Sequence, residues 1–156
     1  MKANIGIEVK NTQAVANELS NILSDEYVLY TKTRNAHWNV EGKDFFEKHK
    51  FFEGQYEQLD DFIDKVAERI RQLGHFPPAS LKQFLGLTQL TEATREKNDS
   101  HGFIHELLED HEAIIVKLRE NINRFADEYH DAGTCDFITG LMEEHEKMAW
   151  FLRAHL

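Results

Sequence analysis

The chain has 156 residues, of which 41% are hydrophobic and 29% carry a charge, and its single cysteine excludes an internal disulfide. Its 18 basic and 28 acidic residues give a formal charge of −10, which repels the phosphates of nucleic acids and anionic membranes and attracts cations. No signal peptide and no membrane-spanning apolar run is visible. We therefore expect one soluble, cytoplasmic domain over residues 1–156.

Four segments have the periodicity of amphipathic helices, and no segment reads as a β-strand. The first helix is predicted over residues 12–36, with Asn11 or Thr12 as its N-cap. The second is predicted over residues 43–73, where apolar residues recur at alternating steps of four and three. It should end at Gly74, because glycine readily adopts the left-handed conformation that closes a helix.

A connector over residues 75–90 follows the second helix. Pro77 and Pro78 prevent the helix from continuing, and "SLKQFLG" predicts a short helix capped by Ser80 and closed by Gly86.

Two further long helices complete the chain. The third is predicted to start in the mid-90s or at about residue 100 and to run to 129, and the fourth is predicted over 135–153. Gly133 should be the helix stop and Thr134 the N-cap between them. These two helices, and likewise the first two, are joined by short links and should pair antiparallel.

The length of the connector predicts the topology. The second helix is about 45 Å long, and sixteen extended residues reach about 50 Å. The connector can therefore return along the bundle and make the second and third helices parallel. We expect an all-α, ferritin-like four-helix bundle with a long crossover that carries a short extra helix.

Several common metal motifs are absent from the sequence. It contains neither H-E-x-x-H, the zinc-protease motif, nor E-x-x-H, the motif that di-iron carboxylate bundles repeat on two helices. A di-iron site built within one chain is therefore not expected.

A different set of candidate ligands lies on or beside the first two predicted helices. His37 and His49 lie on either side of the first interhelical link, and Asp64 and Glu68 are four residues apart, on one face of the second helix. Such an acidic pair is most often a solvated surface, and a histidine in an apolar seam is most often a packed residue. His49 and Asp64 are about 22 Å apart along the helix, so they cannot bind one ion in the same chain. A shared site needs two subunits related by a two-fold axis that brings second helices together antiparallel.

The spacing of these residues, with "HWNVEG" starting at the first histidine and "HEKMAWFLRAHL" closing the chain, resembles the Dps family of mini-ferritins. The resemblance covers nearly the whole chain. It implies a dodecameric hollow shell of four-helix subunits that oxidises Fe(II), preferably with hydrogen peroxide, and stores ferric oxide. It also implies two ferroxidase sites at each dimer interface, each with His37 and His49 from one subunit and Asp64 and Glu68 from its partner. Fe(II) is the substrate and Fe(III) the product.

The family resemblance also assigns residues outside these four. Glu53 matches a position that assists a second iron, and Trp38 matches a tryptophan beside the site. Asp127 and Asp136 match acidic positions of the three-fold pores through which Fe(II) enters the shell, although Ala132 replaces a further acid of some members. The remaining histidines that we considered have no matched partners and are interpreted as structural, surface or incidental: His75, His101, His105, His111 and His145.

DNA binding is not expected, although the family is named for it. Many members bind DNA through a lysine-rich N-terminal tail, whereas residues 1–10 contain only Lys2 and Lys10 against Glu8. The alternative functions are a nucleoid-compacting structural protein, which needs a basic element, and a shell that has acquired a signalling or adhesive role.

Overall fold

The structure, a computed structural model, describes residues 3–92 and 95–156. Within these ranges the chain forms five α-helices and no β-sheet. The elements are α1 (Val9–Asn39), α2 (Phe45–Gln72), α3 (Leu81–Leu87), α4 (Ser100–Asn123), a π-helical turn (Arg124–Glu128) and α5 (Ala132–Arg153). The prediction of four long helices and one short helix is confirmed.

Contacts between helix starts confirm the crossover. The Ser100 hydroxyl donates to Asp44 Oδ2 at 2.6 Å, and the Glu41 amide donates to the Asn98 carbonyl at 2.9 Å. The starts of α2 and α4 therefore lie at the same end of the bundle, so these helices run parallel. The connector must return along the bundle between them.

The ends of α2 show that α5 runs antiparallel to it. Near the start of α2, Lys48 Nζ lies 3.1 Å from the ring of His155, just beyond the end of α5. Near the end of α2, Arg69 Nε donates to Thr134 Oγ1, in the first turn of α5, at 2.9 Å. The α2 helix thus packs beside α5, and α1 packs beside α4.

The core lies between the four long helices. Its largest fully buried side chains are Phe52, Phe125, Leu19, Ile22, Leu23, Leu29, Leu59, Ile70, Leu73, Ile104, Ile114 and Leu118. Full burial of an aliphatic or aromatic side chain contributes about 1.5–3 kcal/mol. Within the predicted apolar stripe of α2, Tyr56 and Ile63 are half-buried, and Phe45, in the first turn, is 45% exposed. The buried members of the stripe are Phe52, Leu59, Val66, Ile70 and Leu73.

The start of α1 differs from the prediction. The helix begins at Val9 with Glu8 in the N-cap position, so neither Asn11 nor Thr12 is the cap. The Thr12 hydroxyl instead donates to the Val9 carbonyl at 3.0 Å. A residue able to cap a helix can also lie inside one when its hydroxyl bonds back to the previous turn.

The link between α4 and α5 also differs from the prediction. Gly133 and Thr134 lie inside α5, and Asp131 is the N-cap, accepting from the Thr134 amide at 2.9 Å. The chain turns at His130, whose φ is 56°, a conformation that histidine adopts more often than most residues other than glycine. Asp131 competes better for the cap because its carboxylate also bonds the Thr134 hydroxyl.

Smaller details of the connector were partly predicted. Gly74 ends α2 with φ 89°, and Ser80 caps α3 by accepting from the Gln83 amide, both as expected. Gly86 does not close α3, which continues to Leu87.

None of the described helices is both long and apolar enough to cross a lipid bilayer.

Candidate metal centre

His37 and His49 meet where α1 and α2 approach the first link. Their ring centroids are 3.8 Å apart and the rings are stacked, with an interplanar angle of 21°. His37 is buried and His49 is half-buried. The short link between the helices brings together two residues that are twelve positions apart.

Each of the two rings is held by the backbone of the other residue. His37 Nδ1 lies 2.8 Å from the His49 carbonyl oxygen, and His49 Nδ1 lies 2.8 Å from the His37 carbonyl oxygen. A carbonyl can only accept, so each Nδ1 carries the proton and donates. In the neutral rings, each Nε2 then keeps its lone pair. This is the tautomer that an Nε2 metal ligand requires, and such outer hydrogen bonds orient metal-binding histidines.

Glu53 lies one turn after His49 on α2. Its Oε2 accepts from Lys50 Nζ at 2.6 Å. This hydrogen bond is the main reason why the pKa of Glu53 is lowered, and the nearby imidazoles of His37 and His49 lower the pKa further. An ionised carboxylate thus lies beside the histidine pair, where it can contribute oxygen to a bound cation.

Aromatic side chains and a guanidinium surround the pair. The Tyr56 ring is 5.1 Å from the His37 ring, and the Arg34 guanidinium lies 4.3 Å from the Tyr56 centroid and 4.9 Å from that of Trp38. Trp38 is 62% exposed. Sequence reasoning named Trp38 but missed Arg34 and Tyr56. The sequence places Arg34 one helical turn before Trp38, and this spacing could have predicted the contact between the guanidinium and the indole ring.

Asp64 and Glu68 are not near the histidine pair of their own chain. Both lie exposed on α2, about 22 Å beyond His49 in the case of Asp64. Neither carries a side-chain hydrogen bond or ion pair within residues 3–92 and 95–156. Over the same ranges, no three His, Cys, Asp or Glu side chains come close enough together to hold a metal.

The acidic segment between α4 and α5 has two kinds of carboxylate. Asp127, in the π-helical turn, and Asp136, in the second turn of α5, are exposed. Asp131 is buried, caps α5 and pairs with Arg69 Nη2 at 3.2 Å. Its role is therefore to fix the turn, whereas the two exposed carboxylates are open to solvent and cations.

The histidines of α4 and α5 are of two types. His101 and His105 are exposed on α4. His111 and His145 are buried in the core, where their Nδ1 atoms are 2.9 Å apart. Sequence reasoning did not connect this buried pair with Glu26, because the contact joins residues 119 positions apart.

Comparison with known proteins shows which family the chain resembles. Residues 16–156 match the ferritin-like domain. An uncharacterised low-temperature-induced protein of Nostoc sp. is 43% identical over 99% of this chain and 87% of its own length. The DNA protection during starvation protein of Helicobacter pylori is 36% identical over 88% of this chain and 95% of its own length.

A solved structure agrees with these relatives. The Dps protein of Vibrio cholerae O1 is described as a member of a broad superfamily of ferritin-like diiron-carboxylate proteins. It is 34% identical and superposes with a TM-score of 0.91, over 99% of this chain and 96% of that one. The sequence motif, the crossover bundle and these relatives agree, and the chain belongs to the Dps family of ferritin-like proteins.

Proposed function

We propose that this protein is a cytoplasmic ferroxidase and iron store. It oxidises Fe(II), preferably with hydrogen peroxide, keeps the ferric product as an oxide inside a dodecameric shell, and so protects the cell from oxidative damage. Membership of the Dps family supports iron storage and ferroxidase-type chemistry in general. The observation that carries the proposal for this chain is the reciprocal bonding of His37 and His49, which leaves both Nε2 atoms available as ligands.

In the proposed site, nitrogen and oxygen ligands come from different subunits. His37 and His49 supply the Nε2 ligands, and Asp64 and Glu68 of the neighbouring subunit supply carboxylate oxygens. A mixed set of imidazole and carboxylate suits iron. Glu53, which lies beside the imidazoles, helps to bind a second Fe(II).

The reaction needs two electrons for each peroxide. Each Fe(II) gives up one electron, the O–O bond of hydrogen peroxide breaks, and the oxygen is reduced to the level of water. The Fe(III) ions then hydrolyse to an oxide and release protons. The reaction consumes both Fe(II) and peroxide, whose direct reaction in solution produces hydroxyl radicals.

The position of the acidic pair supports a shared site. Asp64 and Glu68 are exposed and lie far along α2 from the histidine pair. A two-fold axis that crosses antiparallel copies of α2 brings the acidic pair of each subunit to the histidines of the other. One dimer then holds two equivalent sites.

Entry of Fe(II) is proposed to follow the acidic turn between α4 and α5. Asp127 and Asp136 are exposed there. Repeated around a three-fold axis, these carboxylates would create a negative potential that concentrates cations at a pore.

The shared site is tested by mixing two inactive variants. One carries His37→Ala and His49→Ala, and the other carries Asp64→Ala and Glu68→Ala. In a mixed dimer, one of the two sites has all four original ligands. If equal amounts assemble at random, half of the dimers are mixed, so about a quarter of the wild-type sites are restored.

The measurement is anaerobic oxidation of Fe(II) by hydrogen peroxide, followed by ferric absorbance. The variants are mixed in denaturant, refolded together and compared with each variant refolded alone. Recovery near a quarter supports shared sites. Absence of recovery, in particles shown by mass spectrometry to contain both variants, would contradict them.

The native mass tests the shell separately. About twelve subunits support the proposed assembly, and a monomer is incompatible with a site built by two chains.

We expect the assembled protein not to bind DNA tightly. Lys10 pairs with Glu8 at 2.9 Å, so its charge is partly compensated. Lys2, the other basic residue of the N-terminal segment, lies outside the described residues.

A further inference from the structure

Three buried side chains form a continuous chain of contacts between α1, α5 and α4. His145 Nε2 lies 2.7 Å from Glu26 Oε1, and His145 Nδ1 lies 2.9 Å from His111 Nδ1. Glu26 and His145 have no exposed surface, and His111 is 1% exposed. We refer to Glu26, His145 and His111 as the core triad.

Each of the two contacts holds one proton. One proton lies between Glu26 and His145 Nε2. Another lies between the two Nδ1 atoms, because two ring nitrogens at this distance can share only one proton. If His145 carries the second proton, His111 Nδ1 accepts it and its own proton is on Nε2. The triad is then neutral, whether the first proton is on His145 Nε2 or on the carboxylate.

Burial favours this neutral arrangement. A buried charge without a partner is strongly unfavourable. Within residues 3–92 and 95–156, Glu26 Oε2 has no hydrogen-bond partner. The contact with His145 is thus the main compensation for the Glu26 carboxylate, and His111 serves as the hydrogen-bond acceptor for His145.

His111 Nδ1 cannot take up a further proton while the triad is closed. A proton on His111 Nδ1 would oppose the N–H of His145 and place an additional positive charge in the core. Burial, and then the positive charge of His145, hold the pKa of His111 well below its usual value. The geometry and the electrostatics therefore both keep His111 neutral while the core is closed.

Within the part of the chain that the structure describes, the groups around the triad do not supply another compensating charge. From α2, the Phe62 ring packs 5.3 Å from the ring of the α5 histidine. Asp110, which precedes the α4 histidine, pairs with Lys32 Nζ at 2.5 Å. Asp25, which precedes the α1 glutamate, accepts from the Thr88 hydroxyl of the connector at 2.6 Å. These neighbouring charges are occupied by other parts of the fold.

We propose that the core triad is an acid-sensitive lock, which holds α1, α4 and α5 together near neutral pH and opens when His111 takes up a further proton. An opened His111 binds that proton below its ordinary pKa of about 6.5, whereas the closed form does not. Because the pKa of His111 is lower in the closed form, the contribution of this residue to stability is complete above about pH 6.5 and falls as the pH decreases toward the pKa of the closed form. The equilibrium constant for opening rises about tenfold for each pH unit in this window.

Hydrogen–deuterium exchange of the full-length assembled protein tests the lock. Protection of the amides in α4 and α5 is measured from about pH 7.5 to about pH 5 and corrected for the intrinsic exchange rate. In the wild type, protection should fall about tenfold for each pH unit below about pH 6.5. In His111→Gln, the amide oxygen can still accept from His145 but cannot take up a proton, so this fall should disappear.

Two variants make the test specific. His105→Gln makes the same substitution at an exposed position of α4 and should respond to acid as the wild type does. Glu26→Gln keeps an acceptor for His145 but removes the carboxylate that holds the shared proton, so opening takes up more protons than in the wild type and protection should fall more steeply below about pH 6.5.

Two results would overturn the proposal. One is an equal loss of protection in the wild type and in His111→Gln. If His111→Gln does not fold, Glu26→Gln decides the matter, and an unchanged acid response in that variant excludes the lock.

Discussion

The subunit contains two histidine pairs whose surroundings give them different chemistry. In the pair of His37 and His49, each Nδ1 donates to a backbone carbonyl, and the pair lies at the edge of the bundle. In the pair of His111 and His145, the Nδ1 atoms face each other, and His145 Nε2 contacts Glu26 in the core. The first pair keeps its Nε2 lone pairs for a ligand. In the second pair, the ring nitrogens of His145 are used within the protein.

The contrast shows that the chemistry of a histidine pair depends more on the partner of each ring nitrogen than on the pairing itself. Backbone carbonyls fix the tautomer without adding charge, so the outer pair can bind a cation. A buried carboxylate demands a compensating proton, which makes the inner pair a structural element. The predictions below separate the two pairs, beginning with the largest expected effect.

Removal of a member of the core triad should mainly reduce stability. In His145→Ala, the carboxylate of Glu26 remains buried without its partner. Loss of one member of a buried charged pair costs about 3–5 kcal/mol. The measurement is the denaturant concentration at the midpoint of unfolding, with exposed His105→Ala as the control. Replacing Glu26 and His145 together by leucine should recover part of the loss, and a cost below about 1 kcal/mol for His145→Ala would contradict the buried pairing.

Removal of the outer pair should instead reduce activity. His37→Ala with His49→Ala should slow peroxide-dependent oxidation of Fe(II) by about 100-fold or more, because changes around a metal site cost 10–100-fold even beyond the direct ligands. Ferric absorbance under anaerobic conditions gives the rate. His101→Ala with His105→Ala, a pair exposed on α4, should retain the wild-type rate. Equal rates in all three proteins would exclude the assigned histidines.

Glu53 should have a smaller effect than the histidines. Its carboxylate lies beside the outer pair but is already bonded to Lys50, and we propose that it serves only the second Fe(II). Glu53→Gln should slow oxidation by about tenfold, and Glu57→Gln, one turn further along α2, should not. If Glu53→Gln matches the wild type in stopped-flow measurements, the carboxylate is not part of the site.

The smallest expected effect concerns DNA. With a formal charge of −10 per subunit, the protein should cause no shift of linear DNA in a gel at low salt, where electrostatic attraction is strongest. Tight binding that weakens steeply with added salt would instead favour the nucleoid-compacting function.

Local patterns predicted much of the fold. The apolar repeat located α2, Gly74 marked its end, and the length of the connector predicted the crossover. The exact starts of α1 and α5 could not be predicted as well, because several neighbouring polar residues can cap a helix. Asp131 was selected by contacts with Thr134 and Arg69, and only the folded chain forms the second of these.

Part of the geometry of the candidate site was predictable. The family resemblance implies His37, His49, Asp64 and Glu68 as the ligand set, which stays a prediction. Helix geometry places Asp64 too far from His49 for both to bind one ion in the same chain. The Arg34 and Tyr56 contacts were not predicted, because they depend on how the faces of α1 and α2 meet.

By itself, the sequence determined the number of helices, the crossover and the distance between the two halves of the proposed site, since these follow from periodicity and helix rise. Only the tertiary structure decided which histidines keep a ring nitrogen free for a ligand and which are bonded within the core. A histidine in a helical stripe looks the same in either case. Its chemistry depends on the groups that distant parts of the chain place beside Nδ1 and Nε2: backbone carbonyls for His37 and His49, and a buried glutamate for His145.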